Sequence, residues 1–331
     1  MTERANPLAE KLAQRIRSQG PLLFSEFMET ALYDPDHGYY SAARRAHAEP
    51  TGVAGDFFTA AQLQPVFGRI VCAALRRMRE EMGLAEGCTV ADWGAGRALM
   101  GEHLGEFRYV AVEAGQAAPE PFEGIVFANE LFDALPVDVV RCGATGARLR
   151  RVGWEEGAFR WIDAEPLTGE WKEYADRLSR RMEGADEWIL ELPVRAEPLL
   201  RRIAGALRRG ALVVIDYGYT EREVIRFPRG TLMSYRRHRA HEDVLQDPGR
   251  QDITAHVPFT FLEQCASVLG WRAGGLENLS SWLLRAGERD VFASALRAEN
   301  EEEEVRLRLQ LKALLFGMGE TFRCLRLERG V

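Results

Sequence analysis

From Thr89 to Tyr217, short apolar runs alternate with stretches whose apolar residues recur at helical spacing, the pattern of a parallel sheet with crossover helices. The runs Thr89–Asp92, Tyr109–Glu113, Ile125–Glu130, Trp188–Leu192 and Ala211–Tyr217 read as its strands, with helices at Met100–Glu106 and Arg195–Arg209. Before this region, Pro7 to Leu32 reads as two helices broken at Gly20-Pro21, and a third helix runs from about Gln62 to Met82. Between Val137 and Asp163 the period changes to strand alternation with turns at Gly143 and Glu156-Gly157, which predicts a β-hairpin insertion. Lys172–Met182 and 259–269 read as helices, Trp271 to Ala286 as strand-like pieces, Glu301 to Phe316 as a helix, and Phe322–Leu327 as a last strand.

This predicts an α/β fold, a mostly parallel Rossmann-type sheet with an N-terminal helical cap and an inserted smaller domain. The expected division is 1–85 as a helical and lid region and 86–220 as the core, carrying the hairpin at about 137–163. Residues 221–285 would form the substrate side, and 286–331 a helix and strand completing the core. The loops Tyr33–Tyr40 and Pro50–Thr59 precede the first core strand, so they read either as a lid over its end or as plain surface.

Composition narrows the function more than the fold. A net charge of −7 argues against an extended nucleic-acid surface, which is usually basic. No apolar run approaches the roughly 18 residues of a membrane span. Glu3 and Glu10 near the start fit neither a secretory signal nor an acid-poor transit peptide, so a cytoplasmic location is expected. The five cysteines stand singly, giving no disulfide framework and no metal-ligand spacing. No metal is expected.

Four of the candidate strands end in or beside a carboxylate: Asp92, Glu113, Glu130 and Asp216. Ligands of open α/β sheets bind outside the carboxyl ends of the strands, and an acid buried there needs a partner. Asp92-Trp93-Gly94-Ala95-Gly96 follows the first strand. Its glycines permit a tight turn and close approach of a ligand to the backbone. Leu99 stands where the dinucleotide fingerprint needs its third glycine, which disfavours a nicotinamide oxidoreductase. An acid, one residue, then Gly-x-Gly instead resembles the turn that methyltransferases commonly show at this strand end, which implies passage close to the amino-acid part of S-adenosylmethionine. Glu113, some 20 residues on, is placed to accept ribose hydroxyls; the alternative is a strand-end acid paired with arginine.

At Asn129-Glu130-Leu131-Phe132-Asp133-Ala134-Leu135-Pro136-Val137 the sequence resembles the complex I assembly factor 7, or MidA-type, protein arginine methyltransferases. Leu32-Tyr33-Asp34-Pro35, Gly55-Asp56-Phe57-Phe58-Thr59, Val214-Ile215-Asp216-Tyr217-Gly218 and Gln251-Asp252-Ile253-Thr254-Ala255-His256-Val257 carry the same resemblance along nearly the whole chain. It implies a class I methyltransferase fold with S-adenosylmethionine held by Asp92, Gly94, Gly96, Glu113, Asn129, Asp56 and Thr59. It further implies a protein substrate with an acceptor arginine, and a homodimer. Glu130 and Asp133 would clamp the acceptor guanidinium as the catalytic pair; Asp133 could instead start a helix. His238 and His256 read either as channel lining or, more usually, as buried histidines.

Three departures from the family pattern bear on the site. Ala98 replaces a usual third glycine, Gln62 replaces a usual acid, and only Ala114 to Gly124 separates Glu113 from the next strand. Those eleven residues, with two prolines, cannot supply the helix and strand that relatives place there on the adenine side. The competing expectation is therefore a catalytically weakened or inactive relative that binds a protein partner.

Overall fold

The computed structural model describes residues 6–41, 63–182, 186–236 and 239–330. It divides into two compact units: Met1–Phe58, Ala134–Ala196 and Tyr219–Pro258 form the first, and Thr59–Asp133, Glu197–Gly218 and Phe259–Val331 the second.

The chain opens in the first unit with α1 (Pro7–Gln19), where the Asn6 side chain accepts the N–H groups of Leu8 and Ala9 at 3.1 Å. That satisfies two donors a helix start leaves open, and Gly20 at φ +86° ends the helix. Strand β1 (Leu22–Leu23) and α2 (Phe24–Tyr33) follow. The second unit then begins with α3 (Val66–Glu81), β2 (Thr89–Trp93), β3 (Arg108–Val112) and β4 (Phe122–Asn129). The chain returns to the first unit for β5 (Asp138–Gly143), β6 (Gly146–Glu155), β7 (Ala158–Pro166), α4 (Gly169–Ser179) and β8 (Glu187–Leu192). Most of α5 (Ala196–Ala206) and β9 (Leu207–Tyr219) belong to the second unit. Strands β10 (Met233–Arg236), β11 (Arg239–His241) and β12 (Asp252–Thr254) lie in the first. The second closes with α6 (Phe259–Val268), β13 (Arg272–Asn278), α7 (Leu279–Gly287), α8 (Glu301–Ala313) and β14 (Phe322–Arg329).

The sheet of the second unit runs β13-β14-β9-β4-β2-β3, with β3, β2, β4 and β9 parallel and β14 antiparallel to both its neighbours. Central strands of such sheets are buried on both faces, which is why Ile125-Val126-Phe127-Ala128 is apolar without alternation. Val90, Ile125, Phe127, Val213 and Ile215 share one core with Phe67, Ile70 and Leu75 of α3 and Leu279 and Leu283 of α7. This is the mostly parallel α/β sheet expected from the sequence. Residues 113–121 pass from β3 to β4 with neither helix nor strand, and among the described residues β3 pairs only with β2.

The first unit holds an antiparallel sheet, β1-β6-β5-β8 with β7 beside β6, and a smaller one, β11-β10-β12. Phe24, Phe27, Phe159 and Val152 are central to its core, with Phe27 and Phe159 edge to face at 5.2 Å. The Asp138 carboxylate accepts the Ser25 N–H at 3.1 Å, tying β5 to the start of α2.

Three elements differ from the sequence reading. Trp188–Leu192 joins β5 in the antiparallel sheet of the first unit, because a short, mostly apolar run does not say which sheet will bury it. Leu279–Gly287, read as strand-like, is helix α7, burying Leu279, Trp282 and Leu283 at helical spacing. The helix expected over Met100–Glu106 is a single 3-10 turn at Leu99–Glu102, interrupted by Gly101 and Gly105.

Candidate active site

The turn after β2 is built on backbone that only glycine adopts freely. Gly94 stands at φ +76° and Gly96 at φ +57°, and the Gly94 N–H donates to the Val112 carbonyl at 2.8 Å. A Cβ on Gly94 would lie 2.9 Å from Leu131 Cδ1, whereas a Cβ on Gly96 would have nothing within 4 Å. The first glycine is favoured by its positive φ and by the Leu131 side chain packed over it. The second leaves open space above the backbone, as a ligand needs.

Glu113, just past the end of β3, faces this turn: its Oε1 accepts the Gly96 N–H at 2.5 Å. Gln116 Oε1 accepts the Glu113 N–H at 2.9 Å and the Gln116 N–H donates to the Glu113 carbonyl at 3.1 Å, so the acid is fixed from both sides. Asp92 points elsewhere. It is buried and accepts the Tyr109 hydroxyl at 2.7 Å, so its contact is with β3 and not with the turn. Burial pushes its carboxyl up to about 6 despite that hydrogen bond, with the Glu113 charge adding to the rise. Tyr109 was not singled out in the sequence, where a tyrosine inside an apolar strand reads as packing.

At the end of β4 a second group assembles. The Asn129 amide donates to Glu130 Oε1 at 3.1 Å, and its own Oδ1 is a buried acceptor with no hydrogen-bond partner among the described residues. Glu130 stands at φ +50°, a conformation that costs a non-glycine residue on the order of 1 kcal/mol and that concentrates at functional sites. Strand β9 holds it there: the Glu130 N–H donates to the Ile215 carbonyl at 2.9 Å. Asp216 Oδ2 accepts the N–H groups of Phe132 and Asp133 at 3.0 and 3.3 Å, and its Oδ1 accepts that of Tyr217 at 3.0 Å. Asp216 is fully buried; burial first, then the Asp133 and Glu130 charges, raise its carboxyl well above the ordinary range. Asp133 is buried and no helix follows it, so it is not a helix-start residue. Asp216 was legible in the sequence as one of four strand-end acids, but its work as a backbone acceptor was not.

Asp92, Gly94, Gly96, Glu113, Asn129, Glu130 and Asp133 all belong to the second unit and all lie at the carboxyl ends of its parallel strands. Asp56, Thr59, Gln62 and His238 lie outside the described residues. His256 belongs to the first unit, where its ring meets Phe227 edge to face at 4.9 Å and burial lowers its imidazole to about 4. It is half-buried and lies outside the unit that holds the strand-end acids. The described residues contain no cluster of metal-ligating side chains and no helix long and apolar enough to cross a membrane.

These residues fit S-adenosylmethionine on their own chemistry. Glu113 offers a carboxylate for ribose hydroxyls, Gly96 an open backbone, Asn129 a buried acceptor without a partner, and the surrounding acids suit a sulfonium cation. A parallel sheet with such a turn and acid at adjacent strand ends defines the class I methyltransferases. Residues 102–276, more than half of the chain, match the family model described as S-adenosyl-L-methionine-dependent methyltransferase, and the chain belongs to that family, in the branch that includes the NDUFAF7 proteins.

Two relatives and one solved structure illustrate the match. The Drosophila melanogaster protein arginine methyltransferase NDUFAF7 homolog is 24% identical over 80% of this chain and 70% of its own length. The Homo sapiens protein arginine methyltransferase NDUFAF7 is 23% identical over 78% of this chain and 69% of its own. A Burkholderia thailandensis protein crystallised with S-adenosyl-homocysteine superposes with a TM-score of 0.82 at 30% identity, covering 98% of this chain and 92% of that one. The protein is an S-adenosylmethionine-dependent methyltransferase.

Proposed function

We propose that the acceptor is an arginine side chain of a protein and that Glu130 and Asp133 are the residues that receive it. The observation that carries this reading is the pair of carboxylates on one tight turn, with Glu130 held at φ +50° by β9 and Asp133 braced by the buried Asp216. An arginine is protonated at neutral pH and presents a planar fork of N–H donors, which carboxylates bind with both direction and charge. When bound, the cofactor supplies a methyl group on a sulfonium, so the protein's part is alignment. Glu130 and Asp133 would accept the guanidinium N–H groups and aim one nitrogen at the methyl carbon. The two carboxylates would hold that nitrogen in line for transfer and keep the retained guanidinium charge paired while its surplus proton passes to solvent. The relatives' names, protein arginine methyltransferase, support this choice of acceptor.

The test is mass spectrometry of a lysate incubated with the protein and isotopically labelled S-adenosylmethionine. Label on arginine is expected. Asp133→Ala should abolish the labelling while S-adenosyl-homocysteine affinity changes by less than about twofold, the signature of a residue that serves the acceptor alone. Label confined to lysine, or to small molecules, would overturn the reading.

A further inference from the structure

Arg202, on α5, belongs to no part of the site described so far, yet it touches both of its cofactor-facing sides. Its guanidinium lies 5.0 Å from the ring centroid of Trp93, the residue between Asp92 and the first glycine of the turn. Trp93 itself is buried, so the indole is a fixed platform. The same guanidinium donates to the backbone carbonyl of Gln116. Gln116 is in turn bonded to the backbone of Glu113 in both directions, and Glu113 accepts the Gly96 N–H. One side chain therefore joins the glycine turn to the loop that carries the acid.

That connection matters because of what the crossover lacks. Between β3 and β4, residues 114–118, 120 and 121 are exposed, and no helix or strand orders them. A loop of this kind would ordinarily hold its first residue loosely. We infer that Arg202 is a positioning residue for the cofactor: by clamping the Gln116 carbonyl against the Trp93 ring, it fixes Glu113 at the distance from Gly96 that binding requires. An arginine suits the task, since its plane stacks on an indole while its edge donates hydrogen bonds. The inference rests on reading Glu113 as the ribose partner.

A double-mutant cycle on the full chain, read by calorimetric titration with S-adenosyl-homocysteine, separates the two ideas. Arg202→Ala is expected to weaken binding about tenfold, and Arg202→Lys about threefold, because an ammonium reaches the carbonyl but cannot stack flat on the indole. Glu113→Gln is expected to weaken binding as well, and in that background Arg202→Ala should cost less than about twofold, because the group through which the arginine acts is already impaired. Without ligand, Arg202→Ala should also speed hydrogen exchange at the Glu113 and Gln116 amides, a change that lost side-chain charge alone would not produce. An unchanged affinity for Arg202→Ala, or an equal loss in both backgrounds, overturns the role of Arg202 while leaving the site intact. A Glu113→Gln variant with full affinity overturns the reading of Glu113 itself, and the inference with it. If Arg202→Ala does not fold, Arg202→Lys carries the same cycle.

Discussion

Ala98 shows how one methyl group can work against the turn it sits in. It stands at φ +55°, and its carbonyl accepts the Gly101 N–H at 3.0 Å as the chain enters its 3-10 turn. The left-handed conformation costs an alanine about 1 kcal/mol or somewhat more, partly offset in a glycine by the freer unfolded chain. Ala98→Gly is therefore expected to stabilise the protein by roughly 0.5 kcal/mol, seen as a higher urea midpoint at unchanged slope. Asp92 gives a residue-scale effect of the opposite kind, one that depends on pH. Its folded carboxyl titrates at about 6 against an ordinary 3.8. Between those values the folded state keeps a proton that the unfolded chain has lost, so stability falls as pH rises through that window and levels off above it. Asp92→Asn should remove that component: relative to wild type, the variant gains on the order of 3 kcal/mol between pH 4 and pH 7. A difference that does not change with pH would show that Asp92 ionises normally in the fold.

At the scale of elements, the turn from β2 and the end of β4 are mutually dependent. Gly94 is packed against Leu131, so a branched side chain there meets both a forbidden backbone angle and a collision at 2.9 Å. Gly94→Val is expected to reduce S-adenosyl-homocysteine affinity by at least about a hundredfold and to destabilise the fold by roughly 2 kcal/mol. Calorimetry and thermal melting check the two effects separately. This dependence also shows how far the sequence could be read. The glycines, Glu113 and the acid-bearing turn at 129–133 were legible because each has a local signature: a turn residue, an apolar run, a strand end. The run Trp188–Leu192 showed a strand without showing its sheet, since Trp188, Leu190, Glu191 and Leu192 are all buried and leave no alternation to read. The bond of Asp92 to the Tyr109 hydroxyl, on the neighbouring strand, has no such local signature. Such contacts are set by register between elements, which spacing along one chain does not encode.

For the whole molecule, the described site residues belong to one unit, so cofactor binding should be felt there first. A ligand that binds only the folded state at a hundred times its dissociation constant adds about 2.7 kcal/mol of stability. With S-adenosyl-homocysteine at that excess, hydrogen exchange is expected to slow in peptides covering β2, the segment 113–121 and the end of β4. The meander β5–β6–β7 should exchange as before. Slowing confined to that meander would place the ligand in the first unit and contradict the site.

The order of the large sheet bears on how the protein is made. Strand β14, at Phe322–Arg329, comes more than 100 residues after β9, yet it lies between β9 and β13 with paired neighbours on both sides. While the ribosome is still working, β9 is therefore a finished strand with an unsatisfied edge, and β13 has no sheet to join. Pairing this distant in sequence is slow, and open strand edges invite association between nascent chains. The second unit can close only after β14 has been synthesised, so loss of the residues that form it would remove an inner strand of the sheet and not merely trim its margin.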